Sequence, residues 1–353
     1  MSESAKRGNK RQLVTIKEVA EKAGVSQMTV SRVLNQKDIV KSATRKRVEA
    51  AMASLNYRPN LMARGLAGGK SIFIGFLYHN PSYGYLNEFL VGALDECREL
   101  GHHLVVENIV PDNLADARAR IGARLRQIGL DGVIIAPPLS ENRDVIDALR
   151  DIASPFVRVA HGDLSCADLS VVINDTAAAD AMTEYLIKKG HKRIAFILGA
   201  KDQSSTALRL AGFKAAMMRN GLAVGGAFVQ AGDFTYHSGF AAGEKLLSSS
   251  ARPTAIFASN DEMAAGVIAA AHKHGVKVPE QLSVAGYDDT AIARSVWPQL
   301  TTIRQPIAEM ARKSVALLAE SLDNKNLEAT DRLHMLNFSI VERESVAKPA
   351  RSK

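Results

Sequence analysis

The sequence predicts a small all-α helix-turn-helix head followed by a larger α/β body of doubly wound parallel sheets. Three observations carry that prediction. The whole positive excess lies in the first fifth: residues 1–70 hold 15 Lys/Arg and 5 Asp/Glu, a net of +10, whereas residues 71–353 hold 30 and 32. Residues 15–55 carry helix starts and stops, with a glycine break between two short helical phrases. From Ser71 onward, short apolar runs alternate with amphipathic stretches, which is the signature of strand–helix units.

Length and composition bound the rest. At 353 residues the chain should hold at least two domains, and 46% hydrophobic residues suffice for packed cores. Two cysteines, Cys97 and Cys166, make no disulfide framework and point to a reducing compartment. The first eleven residues are polar and basic, no apolar signal-peptide core follows them, and no run reaches the ~18 residues of a membrane span. The expectation is a soluble, cytoplasmic, nucleoid-associated protein without a membrane partner. The charge asymmetry suggests a polyanion-binding module on a neutral body.

The head begins at "TIKEVAEKAGVSQMTVSRVLN". Thr15 and Glu18 form a T-x-x-E capping box, and Ile16, Val19, Ala20 and Ala23 share one helical face. Gly24 ends that helix. Ser26 caps a second, whose apolar face is Val30, Val33 and Leu34. A third, "SATRKRVEAAMASLN", should bury Val48, Met52 and Leu55. Two helices joined by a turn with glycine form a helix-turn-helix unit, whose second helix enters the major groove by its N-terminal end. Gln27, Met28, Thr29 and Arg32 lie at or near that end. Gln can pair with adenine, Arg with guanine O6 and N7, and Met can touch a thymine methyl.

The stretch after the head, "ARGLAGGKS", nearly spells a phosphate-binding loop, but Gly65 precedes Gly69 by one position too few and no strand feeds it. "VTIKEVAEKAGVSQMTVSRVLN" and "ATRKRVEAAMASLNYRPNLMARGLAGGKS" together resemble the opening of the lactose-repressor (LacI/GalR) family, almost continuously over residues 14–71. That resemblance implies that "NYRPNLMARGLA" is a hinge helix that folds on operator DNA, pairs with its dimer mate and wedges Leu66 into a central base step, a device of minor-groove binders. It also implies DNA contacts from Thr15, Ser26, Ser31, Asn35 and Thr44 in the head, and from Tyr57, Asn60, Ala63, Leu66 and Ala67 in and before the hinge. Gly65 inside that helix departs from many relatives and costs up to ~1 kcal/mol against Ala.

In the body, "SIFIGFL", "HLVVEN", "GVIIAPP", "PFVRVA", "SVVIN", "RIAFILG", "AIFASN" and "LSVAGYDD" read as buried strands, and "YLNEFLVGALDECRELG" and "DAMTEYLIKKG" as intervening helices. Ligands of such sheets bind beyond the carboxyl ends of the strands. "GHKRIAFILG", "RLAGFKAAM", "FASNDEMAAGVIAAAHKHGVKVPEQLSVAGYDD" and "PQLTTIRQP" resemble the family's effector domain. The full expectation is therefore an N-terminal all-α helix-turn-helix head with hinge helix, then an α/β periplasmic-binding-protein-like body of two doubly wound subdomains. Its boundaries are a disordered basic tail over 1–13, the head over 14–58, hinge and linker over 59–70, the effector-binding and dimerisation body over 71–345, and a tail over 346–353. The first subdomain takes 71–173 plus 304–330, the second 174–303 plus 331–345.

By family position, Arg209 should hydrogen-bond ligand hydroxyls or a carboxylate, Asn260 and Asp288 should take further hydroxyls, and Phe234 should stack on the ligand. Ser205 and Gln305 are further candidates, and "LYHNPSYGY" adds Tyr78, His79, Asn80 and Tyr83 at the end of the first strand. Many relatives carry an aspartate after "PFVRV", where this chain has Ala160 and His161. Read without the resemblance, Asp288 could be only a helix cap, Arg209 a surface ion-pair partner and Phe234 a core ring. His102 and His103 follow the helix-ending Gly101 as a cap, and His272 and His274 do not face each other on a helix. No metal-ligand spacing and no cofactor motif is evident.

The resulting reading is a non-enzymatic, sequence-specific repressor. A homodimer binds a pseudo-palindromic double-stranded operator, and a small-molecule effector, a sugar or sugar derivative, controls it. The absence of leucine heptads in "VERESVAKPARSK" favours a dimer over a zipper-linked tetramer. Competing readings are a purine- or nucleoside-responsive co-repressor type, a secreted sugar-binding protein, and a sugar-acting enzyme using the carboxylates of Asp261, Asp288 and Asp289.

Overall fold

The computed structural model describes residues 16–35, 40–55, 71–109, 117–323 and 328–349. They fall into two compact units, the head and a body that begins at Ile72.

The head holds α1 (Ile16–Ala23), α2 (Gln27–Asn35) and α3 (Ser42–Ser54). Gly24 stands at φ +62°, the left-handed conformation that lets the chain leave α1, and the Val25 amide closes the turn onto the Ala20 carbonyl at 3.1 Å. The Ser26 hydroxyl then accepts the Thr29 amide at 3.2 Å, as an N-cap should. Val19, Ala20, Ala23, Val30, Val33, Val48 and Ala51 form the core. Met52 and Leu55, expected inside, are half-buried against it, and α3 buries Val48 and Ala51. Thr15 and the hinge over 59–70 lie outside the described residues, as do the tail over 1–13 and the side chains of Leu34 and Asn35.

The body is two six-stranded sheets. Its first lobe starts with β1 (Phe73–Tyr78), α4 (Tyr83–Leu100), β2 (His103–Asn108), α5 (Ala117–Ile128), β3 (Gly132–Ile135), α6 (Arg143–Asp151), β4 (Phe156–Val159) and β5 (Leu169–Ile173). The second runs α7 (Asp175–Lys188), β6 (Ile194–Ile197), α8 (Ser204–Arg219), β7 (Val229–Gln230), α9 (Tyr236–Leu247), β8 (Ala255–Ala258), α10 (Asp261–Lys273), β9 (Ser283–Asp288), α11 (Ala291–Ser295) and β10 (Thr301–Arg304). The chain then returns through α12 (Ile307–Asp323) and β11 (Leu333–Leu336) to the first lobe and ends in the second with β12 (Ser339–Val341). The sheet orders are β11-β5-β4-β3-β1-β2 and β12-β10-β9-β8-β6-β7. Every pairing is parallel except β10 with β12. Parallel pairing needs crossover helices on both faces, which explains why the central strands are apolar throughout rather than alternating.

Three expected boundaries are corrected. β11 pairs with β5 in the first sheet, so the last crossing falls after Leu336 and not at 330/331. β11 is an edge strand with alternate residues half-buried, and its short "LHML" carries no apolar run to mark it. Residues 346–349 are no loose tail: Val346 is buried, and Ala347 bonds Ser283 and His191 of the second lobe. The other late crossing shifts by one residue, because Arg304 pairs with Asp288 inside the second sheet.

Candidate effector site and DNA-reading helix

On α2, burial of Val30 and Val33 fixes which face is left over. Gln27, Met28 and Arg32 are exposed on that face, Met28 by 65%, while Thr29, Ser31 and, on α3, Thr44 are half-buried. An exposed apolar Met beside Gln and Arg suits a surface that meets base edges. Ser26 uses its hydroxyl on the helix cap. Tyr57, Asn60, Ala63, Leu66 and Ala67 lie outside the described residues.

Between the two lobes of the body, at the carboxyl ends of the strands, lies a small cavity with about 30 Å³ of free space. Asn80, Ser82, Tyr85, Pro137 and Ala160 line it from the first lobe. Gln203, Ser205, Arg209, Phe234, Asn260 and Asp288 line it from the second, and Gln305 stands where the chain crosses. A larger hollow of about 660 Å³ lies along α6 and the start of α8, walled by Arg143, Arg150 and Arg158 among others. The smaller cavity is where convergent polar groups meet strand ends, and we take it as the candidate site.

Its centre is Arg209. The Nε donates to Asp175 at 2.7 Å, one Nη donates to the Ser259 carbonyl, and the guanidinium lies 3.6 Å over the Tyr287 ring. Tyr287 in turn donates its hydroxyl to the same Asp175 oxygen at 2.8 Å. Burial alone would pull this guanidinium down, but Asp175 and Tyr287 outweigh it and hold it firmly charged. The buried cation is thus paired and oriented, with guanidinium donors to spare at the cavity wall.

Burial pushes the Asp288 carboxyl up to about 7, with Arg209 opposing and Glu262 adding to the rise. Gln305 donates its Nε2 to Asp288 Oδ1. Thr290, not Asp288, is the N-cap of α11, so the capping role does not account for Asp288. Asn260 borders the cavity but is largely spent inside the protein: it caps α10 through the Met263 amide and donates to the Phe234 carbonyl and to Glu262. Phe234 is nearly buried, with its ring 5.9 Å from the Arg209 guanidinium.

Ala160, Phe234 and Asp288 stand at φ +50°, +69° and +112°, a region that non-glycine residues avoid. Only two other non-glycine residues among those described do so, Ala153 and Asp289. Strained backbone gathered around one cavity is a mark of a functional site.

Three sequence candidates fall elsewhere. Tyr83 is 82% exposed, His79 reaches toward Asn108, and Tyr78 packs on the ring of Phe76. In their place the structure supplies Ser82, Tyr85, Pro137 and Gln203, with Asp175 and Tyr287 behind Arg209. The register of α4 explains the exchange: Ser82 is its N-cap, so the helix turns Tyr85 inward and Tyr83 outward. Tyr85 is buried, and its hydroxyl has no hydrogen-bond partner among the described residues. His161, beside Ala160, is buried against Ser170 and does not replace the missing aspartate.

Comparison with known proteins agrees with this architecture. A family profile described as bacterial regulatory proteins, lacI family, matches residues 15–60, and one for a periplasmic binding protein-like domain matches 183–346. The ribose operon repressor of Escherichia coli (strain K12) is 35% identical over 318 residues, covering 90% of this chain and 95% of its own. The chain belongs to the LacI family. This LacI-family protein is a DNA-binding transcriptional regulator with an effector-binding body. The solved lac repressor dimer bound to operator and the anti-inducer ONPF is 31% identical at a TM-score of 0.73, covering 95% of this chain and all of that one. A LacI family regulator from Enterococcus faecium with bound ribose is 25% identical at a TM-score of 0.69, over 78% and 99%. Among the described residues, no helix is long and apolar enough to cross a membrane.

Proposed function

We propose that this LacI-family regulator is a dimeric repressor whose operator affinity is set by a neutral sugar held between the two lobes of its body. One observation carries the choice of ligand: Arg209, the cation among the residues lining the cavity, is already answered within the protein. Asp175 pairs with it, and burial raises the Asp288 carboxyl to about 7, so among the described residues no further positive charge faces the cavity from its lining. A phosphate or sugar acid would meet no unanswered cation, whereas hydroxyls fit a wall of amides, a carboxyl, guanidinium donors and a phenol. The ribose named in the relatives above is of this class.

Binding rather than catalysis is the better reading. Glycosidases need two carboxylates flanking the ligand. Of the three Asp candidates only Asp288 lines the cavity. Asp289 is taken by Arg304 and Arg343, and Asp261 is buried under Thr290 and Thr302. Effector binding would change the lobe arrangement, and the hinge that joins head to body would transmit it, through the effector's differential affinity for the two states. The test is a thermal-shift screen of the full chain with ribose, cellobiose, gluconate and hypoxanthine, followed by operator binding with each hit. A response to neutral sugars supports the proposal. A response confined to gluconate or hypoxanthine overturns it.

A further inference from the structure

Two glutamates tie the lobes together across the cavity, each on the helix start of the opposite lobe. Glu141, at the end of the turn after β3 in the first lobe, accepts the Ser204 amide at 2.9 Å and the Ser204 hydroxyl at 2.7 Å. Ser204 opens α8 of the second lobe, and that helix has no side-chain cap of its own at Gln203. Glu262, in the first turn of α10 in the second lobe, accepts the Ser82 hydroxyl at 2.9 Å and the Gly84 amide at 3.0 Å. Those two residues open α4 of the first lobe. A carboxylate at a helix N-terminus is favoured by both the free amides and the helix dipole, and its hydrogen bonds are charge-assisted.

The packing is built for this approach. A Cβ on Gly84 would lie 2.7 Å from Glu262 Oε1, and one on Gly162 would lie 2.7 Å from Ser204 Oγ. A side chain at Gly162 would press on Ser204 itself, and one at Gly84 would push the Glu262 carboxylate out of its place. The two ties flank the cavity: Ser82 lines one side, and Gln203 and Ser205 enclose Ser204 on the other. At this separation the cavity offers about 30 Å³. Pockets that hold small molecules run to about 300–1,000 Å³.

We propose that Glu141 and Glu262 are reciprocal latches that hold the lobes at a separation excluding the effector, and so act as positioning residues that set its affinity. The inference rests on the reading of the cavity as the effector site. A ligand that binds only the unlatched arrangement has its apparent affinity reduced by the fraction of time the latches are open. Weakening them should therefore tighten binding.

The experiment uses the full chain with Glu141→Ala, Glu262→Ala, the double variant and Glu141→Gln, which keeps an acceptor oxygen. Hydrogen exchange without ligand is read first. If the latches act together, Glu141→Ala speeds exchange at Gly84 and Tyr85 as well as at Ser204, and Glu262→Ala does the converse. Faster exchange only at the helix start that lost its own cap would reduce both residues to local caps and overturn the proposal. Calorimetric titration with D-ribose is read second, with about tenfold tighter binding in the double variant and an intermediate value for Glu141→Gln. Unchanged or weaker ribose binding in the double variant overturns it too. If ribose binds neither wild type nor variants, the reading of the site is what fails for that sugar, and the exchange coupling still decides the latches.

Discussion

At the scale of single residues, Arg209 shows how a cavity-lining cation is held by structural partners. Asp175 and Tyr287 fix its guanidinium, so removing it does two things at once. Arg209→Ala strands the buried Asp175 carboxylate and should cost about 3–5 kcal/mol, read by denaturant unfolding of the body. Arg209→Lys keeps the charge but loses the planar fork, and should abolish the sugar response while operator binding survives. A preserved response in the lysine variant would remove Arg209 from the effector site. Buried titratable groups make a second prediction. Burial, then Arg158, lowers the His161 imidazole to about 4, well below its usual value of 6.5. Between those values the unfolded chain binds more protons than the folded one, so the stability from neutral His161 is complete above about pH 6.5 and is lost as pH falls toward 4. Asp288 has the opposite sign: its folded pKa of about 7 is raised, so its contribution is full at low pH and is lost as pH rises through 7. Each slope is isolated as the difference in unfolding free energy between wild type and His161→Gln or Asp288→Asn. An identical pH slope in wild type and variant would refute the assignment.

At the scale of elements, α2 divides its labour by face. Val30 and Val33 anchor it, Ser26 starts it, and Gln27, Met28 and Arg32 are left outward. Ser26→Ala should cost the head about 1 kcal/mol, a lower melting temperature by circular dichroism, without altering which bases are preferred. Arg32→Ala should do the reverse, leaving the head folded while operator and scrambled DNA become harder to tell apart in a binding assay. Undiminished discrimination would sink its base-reading role. The same scale explains what the sequence hid. β1, β3, β6 and β8 are buried on both faces and announce themselves as apolar runs. β7, β11 and β12 are two to four residues long and only partly buried, so neither period nor composition marks them.

At the scale of the whole molecule, head and body are separate compact units, and the body supplies every residue lining the candidate effector cavity. A fragment over 71–353 should therefore unfold cooperatively and keep the full chain's affinity for whichever sugar the thermal-shift screen identifies, while losing operator binding. Loss of that affinity in a folded fragment would mean that the head contributes to the site. Light scattering of the full chain should give a dimer, and a stable tetramer would refute that expectation.

By itself the sequence determined the architecture and the two kinds of surface. Caps, a glycine stop and a buried valine face specify the head, because those signals act within a turn or two of chain. Apolar runs specify the central strands, because a strand covered on both faces has no polar side to blur it. Arg209, Phe234, Asp288 and Gln305 were legible as cavity residues because they sit in recognisable phrases. Only the tertiary structure decided which side of α4 faces inward, exchanging Tyr83 for Tyr85, and which sheet receives β11. It alone joined Asp175 to Arg209, Glu141 to Ser204 and Glu262 to Gly84. Those partners lie 34, 63 and 178 residues apart. No local pattern links residues that far apart: the packing of α7 on α8 joins the first pair, and the crossing of the chain between two sheets brings the other two within hydrogen-bond reach.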